Sequence, residues 1–125
     1  MANPAAIANG TKGNARARDP LNRAGDRINA AVAAAFSVPI RELRAASRRR
    51  ARIALARQSA MYLAHVTLGL TFTEIGRAFG RDRTTAAHAC RKIEDCRAEV
   101  QLDVALVELE HALRRDLAAM VGAVS

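Results

Sequence analysis

The chain has 125 residues and a formal net charge of +8, with a sequence pI near 11.1, which allows one domain of ordinary size and excludes a second. No stretch approaches the roughly 18 apolar residues needed to span a bilayer, and the N-terminus lacks a charged region followed by an apolar one, so a cytoplasmic protein without a membrane partner is expected. Cys90 and Cys96 show neither CxxC nor Cys/His ligand spacing and are read as reduced thiols, with no metal and no cofactor.

The charge is polarised along the chain. It is +3 over residues 1 to 40, +6 over 41 to 57, −1 over 58 to 75, +4 over 76 to 92 and −4 over 93 to 125. An excess concentrated in two separate stretches points to two contacts with a polyanion rather than to general solubility.

Residues 1 to 20 combine Ala, Asn and Gly with Lys12, Arg16 and Arg18 and show no sustained period, which predicts a flexible basic arm ahead of a domain over residues 21 to 121. Within the arm, Gly10-Thr11-Lys12-Gly13 lacks phosphate-loop spacing and a preceding strand. From Leu21 to Phe36, Ile28, Val32, Ala35 and Phe36 recur at helical spacing, and Pro39 closes the segment. A short helix to about Ala46 follows. The run Arg48-Arg49-Arg50-Ala51-Arg52 then predicts an open loop, because adjacent like charges repel.

Ile53, Ala56, Ala60, Leu63 and Ala64 predict a third helix from Arg52 to Leu68, stopped by Gly69. Thr71-Phe72-Thr73-Glu74 is a capping box that opens a fourth. Ile75, Ala78 and Phe79 form its apolar face, Gly80 can take the left-handed conformation that ends it, and Asp82 can cap the next helix. This is the grammar of a helix-turn-helix.

On a helical wheel begun at Arg83, Ala86, Ala89, Cys90, Ile93 and the stem of Arg97 fall on one side. Thr84, His88 and Arg91 fall on the other, with Thr85 and Lys92 at its edges, and these side-chain types read bases and hold phosphates. Leu102, Leu106, Leu109, Leu113, Leu117 and Met120 then make a stripe on a long, acidic-backed helix. That stripe can be the lid of the core, or a seam for a dimer or an RNA polymerase partner. The fold class is all-α, a bundle of about six helices containing a helix-turn-helix.

Three segments carry a family resemblance: Arg57 to Leu63, Glu74 to Thr85, and His88 to Ile93. They closely resemble the C-terminal DNA-binding domain of the replication initiator DnaA, including its signature usually written RDHTT. The likeness runs from about Ile28 to Leu117. It implies double-stranded DNA as partner, a basic-loop arginine in a minor groove at Arg49 or its neighbours Arg48 and Arg50, and base or phosphate contacts at Arg57, Gln58, Asp82, Thr84, Thr85, His88 and Lys92. Arg83 replaces the signature histidine, and one glycine of the usual pair before Arg81 is missing. Arginine prefers the O6/N7 edge of guanine, so the target is expected to differ from the standard initiator box.

The resemblance leaves out the initiator's ATPase domain, for which this sequence has neither length nor motif. Free-standing versions of the domain resemble transcription regulators, including activators of gene transfer agents of the GafA type. The expected function is therefore sequence-specific DNA binding in transcription control, with RNA polymerase or a partner regulator at the C-terminal helix. The alternatives are an accessory or competitor at initiator boxes, and a helical protein adaptor. No carboxylate pair, metal set or activated nucleophile points to an enzyme.

Overall fold

The computed structural model describes residues 20–44 and 51–124, and these contain six helices and no strand. In chain order they are α1 (Pro20–Phe36), α2 (Ile40–Arg44), α3 (Ala51–Leu68), α4 (Phe72–Phe79), α5 (Arg83–Cys96) and α6 (Val100–Val124). The expected arm lies outside the described residues except for Pro20, which opens α1 at the position where a missing N–H costs nothing. Arg48, Arg49 and Arg50 also lie outside them.

The first helix is not ended by Pro39. Ser37 takes the left-handed conformation at φ 54°, and the Val38 N–H returns to the Ala33 carbonyl at 3.0 Å, a Schellman-type closure made without glycine. Pro39 instead begins the next turn, its carbonyl accepting from the Glu42 N–H at 3.0 Å.

Helix α3 is the axis of the bundle and touches each of the other five. Its apolar residues do not form a single stripe, since Ser59 through Ala64 are buried without interruption. Over that stretch the helix is covered on all sides and has no solvent face to keep polar, whereas Arg52 and His65 nearer its ends are exposed. Around it Ile28 and Val32 of α1, Ile75 of α4, Ala86 and Ile93 of α5, and Leu106 and Leu113 of α6 fall to zero exposure.

Two arginines on α3 hold the ends of the helices before it. The Arg52 guanidinium donates twice to the Phe36 carbonyl, at 2.9 and 2.7 Å. Arg57 donates from Nε to the Leu43 carbonyl at 3.0 Å and from Nη2 to that of Glu42 at 2.8 Å. Each satisfies orphan carbonyls at a helix C-terminus with a cation. Arg52, which ends the arginine run and opens the predicted third helix, is helical, and its guanidinium is engaged by the end of α1.

The described leucines of the stripe form a lid. Leu102, Leu106, Leu109 and Leu113 are buried against the core, while the side chains of Leu117 and Met120 are outside the description. Arg27–Asp116 at 3.5 Å and a bond from Arg114 to the Val66 carbonyl at 3.2 Å tie α6 down to α1 and α3. No described helix is long and apolar enough to cross a membrane.

Candidate nucleic-acid interface

The corner between α4 and α5 is built as its sequence predicts. Thr71 accepts from the Glu74 N–H at 3.1 Å while Glu74 accepts from the Thr71 N–H at 2.9 Å, so two orphan donors are satisfied reciprocally. Gly80 stands at φ 67°, ψ 36° and ends α4. Both its own N–H and that of Arg81 turn back to the Gly76 carbonyl, the latter at 2.8 Å.

Gly76 matters for a reason its position in a helix hides. A Cβ there would lie 2.5 Å from the carbonyl oxygen of Arg81. The turn lies flat on α4 only because this residue has no side chain. The sequence reading missed Gly76, since a glycine inside a helix pattern signals only lowered propensity.

Asp82 then caps α5. Its carboxylate accepts from the Thr85 N–H at 2.7 Å. That bond, aided by the Thr85 hydroxyl and the Thr84 N–H, holds the carboxyl below its ordinary range. Asp82 and Thr85 are thus joined through the cap.

Beyond the cap, Arg83, Thr84, Thr85, His88, Arg91 and Lys92 are all exposed, and Ala86, Ala89, Cys90 and Ile93 are all buried. The two faces expected of this helix are therefore present. Cys90 is sealed in the core, with Sγ 3.8 Å from the Met61 carbonyl, and burial pushes its thiol up to about 11, away from thiolate chemistry. Both cysteines are free.

An open groove of about 570 Å³ runs along the packed pair α3 and α5, lined by residues of both. It brings together Arg57 and Gln58 from α3 with Thr84, Thr85, His88 and Lys92 from α5, and adds Arg81, which sequence alone did not single out as a contact. Ala54, Met61 and Ala89 complete its lining. Arg83 and Arg91 lie outside the groove, Arg83 at the tip of α5. Gln58 has its side-chain oxygen buried without a hydrogen-bond partner.

The far end of α5 is fixed by Arg97. Its Nη1 donates to the Tyr62 hydroxyl at 2.9 Å and to Glu110 at 2.8 Å, and its Nε donates to Asp103 at 2.6 Å. Burial alone would weaken the charge, but the bonds to Tyr62, Asp103 and Glu110 outweigh it and raise the pKa above the ordinary arginine value. A guanidinium set 5.7 Å from the Tyr62 ring centroid adds a cation–π contact. Among the described residues no group of three or more His, Cys, Asp or Glu could hold a metal ion.

A short capped helix, a tight glycine corner and a second helix with one polar, cationic face define a helix-turn-helix DNA-binding domain. Residues 25–93 match the family described as the bacterial dnaA protein helix-turn-helix, and the chain belongs to that family. It is 42% identical over 91 residues to the chromosomal replication initiator protein DnaA of Bordetella pertussis, covering 71% of this chain and 19% of that protein. Against the protein of the same name from Bradyrhizobium sp. the identity is 42% over 103 residues, 82% of this chain and 21% of the other. A crystal structure of a DNA replication initiation factor superposes with a TM-score of 0.69 at 28% identity, over 86% of this chain and 33% of that one. The chain thus spans about a fifth of the length of these curated relatives.

Proposed function

We propose that this chain is a sequence-specific double-stranded DNA-binding protein that regulates transcription. The N-terminal half of α5 enters a major groove, and Arg48, Arg49 and Arg50 occupy the adjacent minor groove. Arg91 and Lys92 bind phosphates, which set register without reading sequence. Arg57, whose fork is bonded to the end of α2, supports the interface by holding that helix. Control would come through recruitment or exclusion of RNA polymerase.

The observation that carries DNA binding is the division of α5. Its apolar side is buried, its hydrogen-bonding and cationic side is exposed, and Arg57, Gln58 and Arg81 share a groove with that exposed side. Neutralising about six to eight phosphates predicts a log–log salt slope of roughly −5 to −7. Footprinting and salt titration test the reading, and a chain that protects no preferred sequence at moderate salt would refute it.

A second reading, occupancy of initiator boxes as a replication accessory or competitor, is favoured by the names of the relatives. Binding to a standard box at least as tight as to any selected sequence would favour it over the first. A helical adaptor has less support, because four of the leucines that could have formed its seam close the core.

A further inference from the structure

We infer that Arg83 makes the main sequence-discriminating contact of this domain, and that its target carries an obligatory guanine at the base pair facing the first turn of α5. The inference rests on the DNA-binding reading above. It follows from sorting the polar groups at the tip by what each already does.

Asp82 and Thr85 bond to each other and shape the cap. Arg57 is bonded to two backbone carbonyls. Gln58 has one end of its amide buried. Arg83 differs from all of these. It is the first residue of α5, it is exposed, and it has no hydrogen bond or ion pair with any described residue.

Thr84 and His88, exposed on the same helix, can each make single contacts. Only a guanidinium there offers two parallel donors, and the edge that matches them in a major groove is guanine O6 and N7. Asp82 directly precedes Arg83 but its carboxylate is drawn toward the Thr85 N–H, so the adjacent charge is used inside the cap. A helix that begins with an unengaged arginine on a rigid glycine corner presents that fork without loop entropy to lose.

The test is selection from a random duplex library with the wild type, Arg83→Ala and Arg91→Ala, followed by titration of the winning duplex with 7-deazaguanine at the invariant position. The wild type should enrich a motif with one fixed guanine, and exchanging that base should weaken binding about 10- to 100-fold. With Arg83→Ala that single column should flatten while the others persist, and the 7-deaza change should no longer matter. Arg91→Ala should weaken all sequences alike and reduce the salt slope by about 0.9. If Arg83→Ala instead behaves as Arg91→Ala is expected to, Arg83 is a phosphate contact and the inference is overturned while DNA binding stands. If the wild type enriches no motif, both readings fall.

Discussion

The Asp82 carboxylate accepts the backbone N–H of Thr85 at 2.7 Å, and this bond fixes how α5 leaves the turn. Its Thr85 partners hold the Asp82 pKa down in the folded state. A depressed folded pKa contributes stability that is complete above the unfolded value of about 3.9 and is lost as pH falls through the lower folded one. Acid titration of stability should therefore be shallower below about pH 4 for Asp82→Asn than for the wild type. An unchanged acid limb would show that the cap carries no charge-dependent stability. Asp82→Ala should lower both melting temperature and DNA affinity, because the tip loses its anchor.

Gly76→Ala should be destabilising although alanine is the better helix former. The methyl would meet the Arg81 carbonyl at 2.5 Å, and that atom is backbone in a turn closed by Gly80. A net loss of about 1–3 kcal/mol by denaturant unfolding is expected. DNA affinity measured under conditions where the variant is still folded should also drop, since the displaced element is the one that aims α5. A variant as stable as the wild type would mean the corner is loose.

Arg97→Met removes the strut between α5, α3 and α6. Glu110 is only 13% exposed and would be left uncompensated, whereas Asp103 at 43% is screened by water and counts for less. The loss should be about 2 kcal/mol. Adding Glu110→Gln should recover part of it, and strictly additive effects in that double-mutant cycle would contradict the bond as the source of the loss.

Ser37→Gly should stabilise the domain. Serine at φ 54° stands where side chains other than glycine are disfavoured, and the closure from Val38 to Ala33 needs only the backbone. A gain of about 0.5–1 kcal/mol in thermal or urea unfolding is expected. A loss would indicate that the serine side chain contributes to the closure.

The helix-turn-helix was legible because its signals are local. A capping box, a left-handed glycine and an Asp N-cap each act within four residues, and all three stand in the structure. The two faces of α5 were legible for the same reason, since a 100° period needs only the helix itself. What the sequence hid depends on contacts between distant segments. Arg52 and Arg57 looked like contributors to a basic surface, and only the approach of α1 and α2 to the start of α3 shows them bonded to carbonyls 14 to 16 residues away. Gly76 and Arg97 were hidden similarly, one by a turn folded onto it and the other by partners reaching from two other helices. The leucine stripe was ambiguous in sequence because a core lid and a partner seam share one periodicity. Its burial decides for the lid at the four leucines described.

The strict partition of α5 also bears on how such a protein can change its target. The side chains that hold the helix in place, Ala86, Ala89, Cys90 and Ile93, are different from those at Arg83, Thr84, His88 and Arg91 that face outward. Exchanging the second set removes little buried apolar surface, so new operators become accessible by drift or by laboratory evolution without first acquiring compensating stability. In this scaffold, retargeting and folding are separable problems.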